Sequence, residues 1–142
     1  MRVSPAGLAP TGRPALRLDG TDLVVDVSTR LAPAGTFAEV ADGVGVDFGA
    51  PPDNYPEGSG VSATDDVSLH PASAFLIQDW YLRADAALRV MAPRETPILW
   101  PEHFDVAILL DNPSYGASPG DASHPTPYAC VSRQAPDGPD LS

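Results

Sequence analysis

From Asp22 to Leu31 apolar and polar side chains alternate, with Leu23, Val25, Val27 and Leu31 on one side and Asp26, Ser28 and Arg30 on the other. This two-residue period predicts a half-buried strand. Val44, Val46 and Phe48 alternate in the same way with Gly45 and Asp47 and predict a second strand, followed by turn formers from Gly49 to Gly60. The period then changes. Ile77, Trp80, Tyr81, Ala84, Leu88 and Met91 recur at helical spacing between Pro71, which can open a helix without losing a hydrogen bond, and Pro93, which stops one. The spacing predicts one amphipathic helix over Pro71 to Met91, roughly five turns long, burying Ile77, Trp80, Ala84 and Leu88. Asp79 with Arg83 and Asp85 with Arg89 sit four apart and mark its solvated side.

Beyond the helix, Ile98 to Trp100 and Phe104 to Leu110 return to the strand period. Phe104, Val106, Ile108 and Leu110 fall on one face, and His103, Asp105, Ala107 and Leu109 on the other. Asp111-Asn112-Pro113-Ser114 has turn chemistry and predicts a hairpin whose return strand starts near Tyr115. Ser118-Pro119-Gly120-Asp121 fits a second turn, and Tyr128 to Ser132 a last short strand. The pattern describes an α+β fold, a small antiparallel sheet with one long amphipathic helix packed on it.

Composition narrows this picture. A length of 142 residues with 43% apolar side chains is enough for one core. The 17 Pro and 12 Gly force short elements and many turns. Residues 1–15 and 135–142 are rich in Pro, Gly and small polar side chains and read as flexible tails around a single domain at 16–134. The formal net charge is −11, and every basic residue is Arg. Such a chain repels phosphate backbones and anionic lipid, so nucleic acid and membrane are not expected partners. No apolar stretch of signal-peptide or membrane-span length interrupts the Pro- and Gly-broken N-terminus, and the expected location is cytoplasmic. Cys130 is the single cysteine, which excludes an intrachain disulfide; with no cationic neighbour in the sequence it reads as a small strand residue more than as a reactive thiol.

The run Leu99-Trp100-Pro101-Glu102-His103-Phe104-Asp105, then Tyr115-Gly116-Ala117-Ser118-Pro119-Gly120-Asp121, then Pro127-Tyr128, resembles a family of uncharacterised bacterial proteins, mainly actinobacterial, that share W-P-x-H-F-D, S-P-G-D and P-Y motifs. The resemblance covers Ala84 to about Ser132, with Cys130 where it would suggest an aromatic residue. It implies no reaction.

Candidate chemistry gathers in the same stretch. His103 and Asp105, two apart on a strand, emerge on one face. If the hairpin pairs residue 111 with 115, Asp105 lies across from Asp121, and His103 across from Ser123 and close to His124; a one-residue shift sends Asp121 to the other face. Three readings follow. The first is small-molecule binding in a pocket between helix and sheet rim, lined by Trp100, His103, Asp105, Tyr115, Asp121 and Tyr128. The second is a metal-assisted enzyme in which His103, Asp105, Asp121 and His124 hold a divalent ion, with Glu102 as a weaker acid. The third is a noncatalytic interaction module whose sheet edge pairs with a partner or a second copy as a homodimer. Against the metal reading, His103 and Asp105 can bond each other and nearby backbone while Asp121 ties the Pro-Gly turn. His70, just before Pro71, reads as a helix-entry residue. No phosphate loop, nucleophile elbow or H-E-x-x-H motif occurs.

Overall fold

A computed structural model of the chain describes residues 2–4, 7–9, 16–26, 29–49, 60–100, 104–110 and 113–133. It shows a mixed α+β protein that divides into two compact units, Met1–Gln78 and Asp79–Ser142, where the sequence pattern suggests one domain. The boundary falls inside the long helix.

The first unit carries a five-stranded antiparallel sheet in the order β1-β2-β3-β4-β5, with β1 at Arg2–Ser4, β2 at Gly7–Ala9, β3 at Leu16–Asp19, β4 at Asp22–Val25 and β5 at Thr29–Leu31. Strands β1 and β2 lie in the stretch expected to be a tail. Their apolar residues explain why: Val3 pairs with Leu8, Leu8 pairs with Leu18 of β3, and Val3 and Leu8 are both buried. Cross-strand pairing supplies a burial partner that neither short segment has alone. The strand expected over Asp22 to Leu31 is two strands, because Asp26 takes a left-handed backbone with φ +58° and turns β4 back onto β5. Val24 is the fully buried residue of β4, with Leu23 and Val25 half-buried.

The strand expected at Val44 to Phe48 does not form. A short helix, α1, occupies Phe37–Gly43, and Val44 is its buried C-cap. Its N-terminus is a capping box: the Glu39 amide donates to Thr36 Oγ1 at 3.3 Å, and the Thr36 amide donates to Glu39 Oε2 at 2.8 Å. Backbone bonds from Phe37 to Asp65 and from Ala38 to Ala63 tie α1 to the segment before the long helix.

Helix α2 spans Pro71–Met91, as the spacing predicts. Of its side chains only Tyr81 and Leu88 are buried; Ile77, Trp80 and Ala84 are half-buried. In the second unit, strands β6 (Ile98–Trp100), β7 (Asp105–Leu109), β8 (Pro113–Ser118) and β9 (Tyr128–Arg133) form an antiparallel sheet in that order. Tyr81, Leu88, Leu99, Val106, Ile108 and Ala117 make its core. Tyr81 is the fully buried contact of α2. Its ring meets Phe104 edge-on with centroids 5.5 Å apart, and its hydroxyl donates to the Phe104 carbonyl oxygen. Phe104 is itself left-handed, with φ +54°, and 39% exposed, so it stands outside the regular strand that alternation assigned it to.

Among the described residues no helix is long and apolar enough to cross a membrane.

Candidate functional site

Strand alternation divides the residues of the second sheet between two faces. Leu99, Val106, Ile108 and Ala117 are buried on one; Trp100, Asp105, Ala107, Ser114, Gly116, Cys130 and Ser132 fall on the other. On that second face they line a groove of about 340 Å³, with Trp100 and Asp105 toward one end and Leu109, Ser114 and Ser132 toward the other. The register sets the rows. Trp100 pairs with Asp105, Ala107 with Gly116, Gly116 with Cys130, and Ser114 with Ser132.

Gly116 keeps the floor of the groove low. A methyl group placed there would approach the Ala107 Cβ and the Val106 carbonyl oxygen at 3.2 Å each, and Cys130 Sγ at 3.5 Å. On the same face as this apolar floor sits a carboxylate. Asp105 Oδ1 is buried and has no hydrogen-bond partner. Buried polar atoms in native proteins are nearly always bonded, so an orphaned oxygen on a residue that lines the groove is a distinctive feature. Its charge is felt by its surroundings. Burial first, and then Asp105, push the Cys130 thiol above its ordinary value against a lowering contact with the Gly116 backbone. Cys130 is therefore a poor nucleophile at neutral pH. Tyr81 is raised too, by burial and next by Asp105.

The candidate residues separate into three groups. Trp100 and Asp105 lie together in the groove. Tyr128 shares the face of Cys130 by alternation, next to Ser118, and joins Asp121 in a compact turn. There the Asp121 carboxylate accepts from the Ser123 amide at 2.7 Å, the His124 amide at 2.8 Å and the Tyr128 hydroxyl at 2.9 Å, and the His124 ring stands edge-on to Tyr128 at 4.9 Å. The His124 amide, then the Tyr128 hydroxyl and the Ser123 amide, hold Asp121 below the usual carboxylate range. For Tyr128, contact with Ser118 lowers the phenol, but the Asp121 hydrogen bond, partial burial and the charges of Asp121 and Asp105 outweigh it and leave it raised. Asp121 thus ties its own turn. Tyr115 belongs to the opposite face of β8.

His103 and Glu102 lie outside the described residues.

The expected juxtaposition of Asp105 with Asp121 is not formed. The hairpin pairs Leu109 with Ser114 and Val106 with Ala117, instead of Asp111 with Tyr115, which carries Asp105 to the row of Ser118 and leaves Asp121 in the loop beyond β8. Pro113, read from sequence as part of the turn, is the first residue of β8 and pairs with Arg133. Among the described residues no three His, Cys, Asp or Glu side chains are grouped as a metal would need. The pocket expected between helix and sheet rim also differs in place, since the groove holding Trp100 and Asp105 is on the face of the sheet away from Leu99 and Val106. A separate cavity of about 250 Å³ does lie between α2 and β8–β9, walled by Trp80, Ala84, Leu88, Ala117 and Ala129, none of them a residue singled out for the pocket.

Sequence reading missed Ser114, Gly116, Cys130 and Ser132 as groove residues. The available signal was the period of two running from Asp105, which with the correct register selects all four.

Comparison with protein-family models, with curated proteins and with solved structures gives no match.

Proposed function

We propose that this protein binds a small organic molecule in the groove on the open face of β6–β9. The supporting observation is the coincidence, in one groove of about 340 Å³, of an aromatic wall at Trp100, an apolar floor at Ala107 and Gly116, and the carboxylate residue Asp105. Small-molecule sites typically combine apolar walls with a few polar groups in clefts of roughly 300 to 1,000 Å³, so this one suits a compact ligand. Kinship with the W-P-x-H-F-D proteins and a cytoplasmic location belong to the same proposal, and neither adds an activity to it.

The test is a fragment screen by amide chemical shifts on the full chain, repeated on a Ser132→Trp variant. Ser132 is exposed at the end of the groove, so an indole there should block the groove with little effect on the melting temperature. Compounds that shift the Gly116 and Cys130 amides of the wild type should lose those shifts in the variant. Binding that survives Ser132→Trp unchanged refutes the groove as the site.

A further inference from the structure

We infer that the groove selects a ligand carrying a protonated amine on a small apolar or aromatic body, with the Asp105 carboxylate as the counter-charge of its ammonium group. This rests on the groove being the binding site. The buried Asp105 Oδ1 lacks any hydrogen-bond partner. The ion pairs found among the described residues join Arg30 to Asp19 and Asp22, Arg83 to Asp79, and Arg89 to Asp85, and none reaches Asp105. A carboxylate that no cation of the described residues compensates attracts a ligand of opposite charge, and its charge-assisted hydrogen bond to an ammonium is stronger than one to a neutral donor. A neutral hydroxyl would satisfy only the hydrogen bond, and a carboxylate ligand would add repulsion in a chain of net charge −11.

The neighbouring walls suit the remainder of such a ligand. Trp100, paired across the ladder from Asp105, is 39% exposed and offers an indole whose face attracts a cation. Ala107, Gly116 and Leu109 present apolar surface to its body. A bare divalent cation lacks the further carboxylates or imidazoles it would need among the described residues. An organic ammonium needs one carboxylate.

Three probes of matched size separate the alternatives: 2-phenylethylamine, 2-phenylethanol and 3-phenylpropionate, titrated into the full-length protein at neutral pH and low salt while the Asp105, Gly116 and Cys130 amides are followed. The amine should saturate these shifts with a Kd at least about tenfold below that of the alcohol, and the carboxylate should bind weakest. Asp105→Asn should bring amine and alcohol to similar affinities. The comparison on wild-type protein decides the matter even if that variant folds poorly. If the alcohol or the carboxylate binds as tightly as the amine at the same amides, the amine assignment is overturned and the groove stands. If none of the three moves those amides up to about 10 mM, where even millimolar binding would register, the groove proposal falls with it.

Discussion

Replacing Tyr81 by Phe removes one oxygen atom from the fully buried side chain of α2 and with it the hydrogen bond to the Phe104 carbonyl. The ring, its burial and its edge-on contact with Phe104 remain, so no cavity term enters. A net intramolecular hydrogen bond contributes about 0.5 to 1.5 kcal/mol, and a buried acceptor left without a donor costs about 1 to 3 kcal/mol. Phe104 is partly exposed, so water can recover some of the loss. The expected destabilisation is about 1 to 2 kcal/mol in urea unfolding, or about 3 to 8 °C in Tm for a chain of this size. The consequence should be local as well, because the lost bond holds the left-handed residue that immediately precedes β7. Amide exchange should accelerate at Asp105 and Val106 more than at Tyr128. The same variant has a pH signature. Burial, and then the Asp105 charge, raise the Tyr81 phenol in the folded state above its unfolded value of about 10. The folded protein therefore holds that proton more tightly, and the associated stability is present below about pH 10 and is lost as pH rises beyond it. In Tyr81→Phe this part of the alkaline loss should vanish. A variant as stable as wild type at pH 7, with the same alkaline limb, would refute the reasoning.

Three further outcomes are expected. Asp105→Asn should keep the fold and stay within about 1 kcal/mol of wild-type stability, because the buried Oδ1 makes no hydrogen bond that the substitution would break; it should also speed alkylation of Cys130, whose thiol Asp105 helps raise, and a loss above about 1 kcal/mol would contradict the unpartnered state of that oxygen. Gly120→Ala should cost about 1 to 3 kcal/mol in chemical unfolding, since Gly120 has φ +107° and an added methyl would come within 3.0 Å of the His124 carbonyl oxygen and the Pro125 carbonyl carbon; near-neutral behaviour would show that the turn readily rearranges. Thr36→Ala should destabilise the first unit by about 1 kcal/mol through loss of the capping box, with faster amide exchange at Glu39 and Val40 as the readout, and unchanged exchange would count against the cap.

Local sequence alone determined the elements whose start, period and stop agree. Helix α2 was legible over its whole length because Pro71, the recurrence from Ile77 to Met91, and Pro93 point the same way, and the two acid-base pairs on its surface are formed as Asp79–Arg83 and Asp85–Arg89. Strands β6, β7 and β9 were legible from alternation, as were Val106 and Ile108 as core residues and the presentation of Asp105 on the opposite face. Elements that depend on distant partners were not. Val3 and Leu8 become strand residues only through the Leu18 pairing, and alternation from Leu23 to Val27 gives no sign that Asp26 will accept a left-handed turn. The Val44-Val46-Phe48 alternation predicts a strand that does not form, while the Thr36 to Glu39 spacing, which sequence reading missed, caps helix α1 just before it, with backbone bonds to Ala63 and Asp65. Register was the decisive tertiary quantity for the site. A sequence specifies which side chains share a strand face, but which rows face each other depends on where the turn ends, and Pro113 joined β8 instead of the turn. That choice separated Asp105 from Asp121 and placed it on one sheet face with Gly116 and Cys130, along the same groove.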